Sequence, residues 1–167
     1  VCNSLGLIGI DQDGGVCERI YVDEDVLYKV PEGISDRAAV VIEPLAVIVR
    51  AVHQSGFQAM DTCVVVGAGP IGMLTGIVLK AVGANKVFIS DISEKRLEMA
   101  RQFDLIPVNP AHSDLEKIVK DATDGEGCDV LFECSGAATA AMQMTDITRV
   151  SGNICMVSIH KAPHEIN

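Results

Sequence analysis

The string Val64-Val65-Val66-Gly67-Ala68-Gly69-Pro70-Ile71-Gly72 constrains this chain more than any other feature. A β-branched run that stops on G-x-G-x-x-G and continues into apolar residues at helical spacing reads as strand, tight turn and helix. Gly67 suits the tight turn, Gly69 a backbone that something approaches closely, and Gly72 close packing of helix on strand. Pro70 lacks an N–H but fits a first helical turn, where that amide has no partner anyway. The amides near Pro70 and Ile71 then face outward with the positive end of the helix dipole, as a phosphate requires. Cys63 to Leu79 is uncharged throughout, yet it holds Gly67, Gly69, Gly72, Gly76 and Pro70 and falls short of the ~20 residues needed for a membrane span.

The pattern repeats downstream. Lys86–Ser90 reads as a second strand, and Ser93–Gln102 as a charged helix with Ser93 at its N-cap. Ile106–Val108 is a short third strand, Ser113–Ala122 a helix, and Asp129–Cys134 a fourth strand. Ala138–Arg149 then reads as a helix and Asn153–Ile159 as a fifth strand. Alternation with short connections implies parallel strands joined by right-handed crossovers. The fold class expected is therefore α/β, a Rossmann-type doubly wound parallel sheet with five strands present and the sixth missing.

Residues 1–60 read differently. Gly14-Gly15, Val16–Tyr21 and Val26–Val30 suggest turns and short β segments, and Pro31-Glu32-Gly33 suggests another turn. Ser35 then caps an apolar helix. Residues 1–34 form the tail of another domain, 35–60 a connecting helix region, and 61–167 an incomplete dinucleotide domain.

The second strand ends at Asp91, about 20 positions past the last glycine of the motif. A carboxylate there accepts hydrogen bonds from the adenosine ribose of NAD and repels the 2′-phosphate of NADP. The competing role for Asp91 is N-cap of the next helix, which Ser93 also contests. Arg96 reaches back toward the same ribose, or is a solvated charge on a helix rich in charges. Ser135 and Gly136, after the fourth strand, are small enough for a ligand to pass closely.

Ala38 to Val49 holds a single charged side chain, Glu43. Burying an isolated carboxylate is costly without a cation or donors, and Pro44 disfavours helical backbone at the residue before it. Glu43 thus belongs at a kink or fresh helix start, where a metal, a proton-transfer role and a helix N-terminus remain open. Thirteen basic residues against 23 acidic ones give a net charge of −10. That balance argues against a nucleic-acid or anionic-lipid surface. The six cysteines form no C-x-x-C pair, and no basic-then-apolar leader is visible, so a reducing cytoplasm without disulfides is expected.

Taken in order, Gly14-Gly15-Val16-Cys17-Glu18, Lys29-Val30-Pro31, Ile42-Glu43-Pro44-Leu45, the glycine string, Asn109-Pro110, Gly127-Cys128-Asp129-Val130 and Glu133-Cys134-Ser135-Gly136 resemble the zinc-containing medium-chain alcohol dehydrogenases. The nearest branch is that of the sorbitol, threonine and butanediol dehydrogenases. The resemblance implies that the segment before the sheet is a remnant of a β-rich, GroES-like catalytic domain. It implies NAD as cofactor, zinc in the parent protein, a small polyol or secondary alcohol as substrate, and a homo-oligomer. By the same resemblance Glu43 lies at the catalytic zinc and Cys2 is the last of four thiolates at a structural zinc. The remaining ligands match nothing in these residues, so the chain alone is expected to bind NAD without turnover. A module that senses NAD and performs no chemistry is the alternative, and an S-adenosylmethionine methyltransferase a remote third.

Overall fold

A computed structural model describes residues 6–160. Cys2 lies outside the described residues. The chain divides into two compact units, Val1–Ala39 and Val40–Asn167.

In the first unit the described residues contain a 3₁₀ turn, Glu24–Val26, and a one-turn helix α1, Asp36–Ala39. Val16–Tyr21 and Val26–Val30, expected as short β segments, form no strand; an isolated bridge joins Ile8 and Gln12. Exposure explains this, since Val16, Tyr21 and Tyr28 lie open to solvent and no neighbouring strand stabilises the backbone. The Pro31–Gly33 turn is present, closed by the Ile34 amide on the Pro31 carbonyl at 3.4 Å.

The second unit begins with helix α2, Ile42–Gln54. Strand and helix then alternate: β1 Thr62–Val66, α3 Pro70–Ala81, β2 Lys86–Ser90, α4 Glu94–Arg101 and β3 Ile106–Val108. They continue with α5 Leu115–Asp121, β4 Cys128–Glu133, α6 Ala138–Ile147 and β5 Thr148–Met156. All strand pairs are parallel, in the order β3-β2-β1-β4-β5. The uncharged stretch Cys63–Leu79 is thus divided between β1 and α3. Among the described residues no helix is long and apolar enough to cross a membrane.

Side chains alternate across the sheet, so successive residues of β1 enter opposite cores. Cys63 and Val65 join Val87, Ile89, Val130 and Phe132 beneath α2 and α3. Val64 joins Phe88 and Leu131 beneath α5 and α6. Both faces are covered, which is why these strands read as continuous apolar runs. Phe88 and Phe132 are buried at the centre, and truncating either to Ala should cost about 3–5 kcal/mol.

Strand β5 departs from expectation. It starts at Thr148, five residues before Asn153, and ends at Met156 rather than Ile159. Thr-Arg-Val-Ser-Gly-Asn carries no strand pattern because it holds a register shift opposite Cys128–Val130 and a Ser151 at φ +61°. Arg149 Nε donates to Asp129 Oδ1 at 2.6 Å, and Asp129 Oδ2 accepts the Thr62 amide at 2.8 Å. This ion pair draws Arg149 out of α6 and stitches the starting ends of β1, β4 and β5.

The order in which strands are added reverses between β1 and β4, because β2 and β3 lie on one side of β1 while β4 and β5 lie on the other. Crossovers on opposite faces leave a crevice at the carboxyl ends of these two strands. Gly67 turns there with φ +98°, and a Cβ on Gly72 would stand 1.8 Å from the Gly67 carbonyl oxygen. Gly69, with φ −67° and nothing within 4 Å of an added Cβ, is unconstrained by packing. Gly72→Ala should therefore cost about 2–3 kcal/mol in chemical denaturation, whereas Gly69→Ala should shift stability by no more than about 0.5 kcal/mol. Equal losses would contradict this account of the turn.

Candidate functional site

At the crevice lies a cleft of about 340 Å³. Gly67 and Gly69 form one wall, Asp91 and Arg96 a second, and Cys134 and Ser135 a third, with Thr139 and Gln143 contributed by α6. Three chain segments distant in sequence thus meet where the topology requires.

The glycine turn is held by the Gly67 amide on the Ser90 carbonyl at 2.7 Å. A Cβ on Gly67 would sit 3.0 Å from the Ser135 amide nitrogen and Cβ, so the loops after β1 and β4 abut. Pro70 opens α3, Ile71 comes next, and Gly72 lies buried behind the turn. The first amides of a helix have no carbonyl one turn back, and here they end at the cleft with open space over Gly69. A diphosphate fits that cradle in charge and in room.

Asp91 stands at the end of β2 with its side chain only 7% exposed. Its Oδ2 accepts the Ala68 amide at 2.9 Å and Arg96 Nη1 at 3.2 Å, and Oδ1 accepts the Ser93 amide at 2.8 Å. Burial pushes the Asp91 pKa upward, but the Ser93 and Ala68 amides and the Arg96 guanidinium outweigh it and hold the carboxyl below its usual value. Three of roughly four acceptor positions are used, leaving capacity toward the cleft. The capping contest has no winner. Ser93 holds the N-cap place of α4 without a side-chain bond, and Asp91 binds the Ser93 amide outside the helix. Arg96 is 56% exposed on α4, paired with Asp91 and facing the cleft.

The sequence patterns gave no role to Glu133, the last residue of β4. It is 0% exposed, and its Oε1 accepts the Ser135 amide at 2.8 Å, Ser135 Oγ at 2.5 Å and the Gly136 amide at 3.0 Å. Its Oε2 accepts Ser158 Oγ and, at 3.1 Å, His160 Nε2. Burial raises its pKa, and the Ser135 and Ser158 hydroxyls with the Ser135 and Gly136 amides lower it further than burial lifts it. The signal was available: Glu133 is a single carboxylate ending the apolar run Val130-Leu131-Phe132. Asn109, after β3, also had no role assigned by pattern; it donates to the Ile92 carbonyl and to Glu94, fixing the turn beyond Asp91.

Glu43 is not brought to the cleft. It is exposed in the first turn of α2, a fresh helix start after the break at Val40-Val41, so the cost of burying its charge does not arise. Pro44 occupies the third helical position, where the missing N–H costs nothing. An acid there interacts favourably with the helix dipole. Among the described residues no three His, Cys, Asp or Glu side chains are grouped as metal ligands. The described residues by themselves therefore assemble no zinc site. Cys63, Cys128, Cys134 and Cys155 are free thiols whose pKa values burial pushes up, to about 12 for Cys128 and Cys134. They are inert apolar packing groups rather than thiolate ligands.

Residues 70–167 match the family model described as zinc-binding dehydrogenase. The 2-dehydro-3-deoxy-L-galactonate 5-dehydrogenase of Pseudoalteromonas atlantica is 36% identical over 167 residues, covering 100% of this chain and 49% of that protein. The crystal structure of 2R,3R-butanediol dehydrogenase from Bacillus subtilis superposes with a TM-score of 0.90 at 34% identity, covering 97% of this chain and 47% of that one. A zinc-binding dehydrogenase of Sinorhizobium meliloti 1021, solved bound to NADP, superposes with a TM-score of 0.92 at 27% identity over 100% of this chain and 50% of that one. The chain spans about half the length of the first curated relatives it matches.

Asp91 and Glu133 make stability depend on pH with a definite sign. Both have folded pKa values below their ordinary 3.8 and 4.5, so their contribution is complete above those values and is lost as pH falls through the folded ones. Denaturation midpoints should thus be insensitive to these groups between about pH 5 and 7, then drop below roughly pH 4.5. Glu133→Gln should cost about 2–3 kcal/mol at pH 7 and flatten that acid limb. Parallel acid limbs in the two proteins would assign the loss to other groups.

Proposed function

The chain belongs to the zinc-binding dehydrogenase family, and from that premise we propose that its cleft binds NAD and that the whole protein uses it to oxidise a polyol or secondary alcohol. The observation that carries the reading is the Asp91 carboxylate, almost buried yet lining the cleft beside the glycine turn, whose Ala68 amide it accepts. Each residue then has a task. The α3 amides hold the diphosphate, and the bare Gly69 lets it lie against backbone. Asp91 accepts from an adenosine ribose hydroxyl with its remaining lone pair. Its charge, held ionised by Ser93, Ala68 and Arg96, repels a 2′-phosphate, so NAD is taken in preference to NADP. Arg96 borders the same end of the cleft, and Ser135 borders the end toward β4, with Gly136 the next residue of that lip. When bound, the nicotinamide accepts hydride from a carbinol carbon.

The fold admits either dinucleotide, as the NADP-bound relative illustrates, so the choice falls to the group at the end of β2. Calorimetric titration of NAD and NADP should find NAD the tighter ligand. Asp91→Ser should weaken NAD about tenfold and narrow the preference. Unchanged affinities for both would remove Asp91 from the site. Because Glu43 stands without metal partners among the described residues, the 167-residue chain alone should bind NAD and leave polyols unoxidised. Reduced nicotinamide absorbance appearing when this chain is mixed with NAD and sorbitol would contradict that.

A further inference from the structure

Glu133 does not line the cleft, although its successors Cys134 and Ser135 do. A carboxylate completely removed from solvent is expensive unless donors surround it. Here the donors come from two separate segments. Ser135 and Gly136 belong to the cleft lip after β4, and Ser158 and His160 to the stretch after β5. The backbone repeats the connection, since the Val157 and Ser158 amides both donate to the Glu133 carbonyl at 2.9 and 3.0 Å. The lip also leans on that stretch, for a Cβ on Gly136 would stand 3.3 Å from the Ile159 carbonyl.

Serine, histidine and glutamate side by side invite comparison with a nucleophile relay, but the geometry excludes one. A relay needs the two ring nitrogens to face different partners. Here the same Nε2 meets both Glu133 Oε2 and, at 3.2 Å, Ser158 Oγ. An ionised carboxylate only accepts, so Nε2 carries its hydrogen and Ser158 gives its own to Glu133. No base is left to activate the hydroxyl. The cluster is a clamp.

What it clamps is the part of the lip that touches the glycine turn, because Ser135 abuts Gly67. We propose that Glu133 is a positioning residue for the dinucleotide: its buried carboxylate fixes the Ser135–Gly136 lip against Gly67 and ties the lip's shape to the Ser158–His160 segment. The proposal rests on the reading of the cleft as a dinucleotide site. A glutamine at this position keeps the volume but offers one acceptor oxygen, and its NH₂ confronts the donors of one of the two segments.

The test is NADH binding to the full-length protein, monitored by nicotinamide fluorescence well below the unfolding temperature of each variant. Glu133→Gln should raise the Kd about tenfold and Ser158→Ala about threefold, and the double variant should be no weaker than Glu133→Gln alone, because both act through one carboxylate. A merely structural role would lower the unfolding temperature of Glu133→Gln and leave its Kd within about twofold of the unaltered protein; that result overturns the proposal. Losses that multiply in the double variant overturn it as well. If Glu133→Gln does not fold, Ser158→Ala decides alone, and an unchanged Kd sinks the clamp. Failure of the unaltered protein to bind NADH would instead overturn the cleft reading and the proposal with it, whereas Asp91→Ser weakening NADH while Glu133→Gln does not would overturn the clamp only.

Discussion

Between Gly72 and the carbonyl of Gly67 there is no room for one more carbon atom. That contact lets α3 lie directly against the end of β1, so its unpaired first-turn amides open onto the crevice instead of being buried by the turn. With a side chain at position 72 the helix would stand off, and the dipole and its amides would point past the cleft. The sheet order supplies the other half of the geometry. Because β2 and β4 flank β1 on opposite sides, Asp91 and Ser135 arrive at opposite walls without any long loop to place them. Local sterics at one pair of glycines and the reversal of strand order therefore converge on the same few ångströms.

That convergence explains which parts were legible in the sequence. β1 and β2 were readable to the residue because both faces are buried, and continuous apolar runs bounded by turns leave little choice of register, whereas the short edge strand β3, with Ile106 exposed, was marked by the Asn109-Pro110 break that follows it. Helix ends drifted by a residue or two, as at α5 and α6. β5 was misplaced because it is an edge strand whose first half exposes Val150 and carries a register shift between Thr148 and Asn153, so neither alternation nor burial marked it. The ion pair from Arg149 to Asp129 that fixes its start spans 20 positions and leaves no local trace. In the first unit, β-branched residues suggested strands, but propensity without a pairing partner or a core decided nothing there.

Two lone carboxylates show how one signal can lead to opposite environments. Glu43 and Glu133 each interrupt an apolar run, and physics asks of both what pays for the charge. At Glu43 nothing needs to, because the helix begins there and the side chain reaches solvent. At Glu133 five donors from two segments converge, and burial is complete. The difference lies in the next residues along the chain. Pro44, directly after Glu43, favours a new helix start, which faces the carboxylate outward. Small residues after Glu133 leave amides and a hydroxyl free to fold back over it. Ser135 lines the cleft and Gly136 does not, and both serve the buried acid behind them.

Asp91 presents the complementary case, an acid whose structural bonds prepare it for a ligand. Its three donors are all fixed by the fold: one amide in the glycine turn, one at the start of α4, and a guanidinium one turn further along. These bonds keep it ionised in a poorly solvated corner, and they lock its orientation before any ribose arrives. A ligand hydroxyl then meets an acceptor that needs no reorientation, which is where preorganisation lowers the cost of binding. The Ala68 bond does more, since it couples the acid after β2 to the glycine loop, to which the proposed reading assigns the diphosphate. Displacing Asp91 would loosen the turn as well as the ribose contact. The glycine turn and the end of β2 are thus a single hydrogen-bonded object, and the carboxylate is its joint.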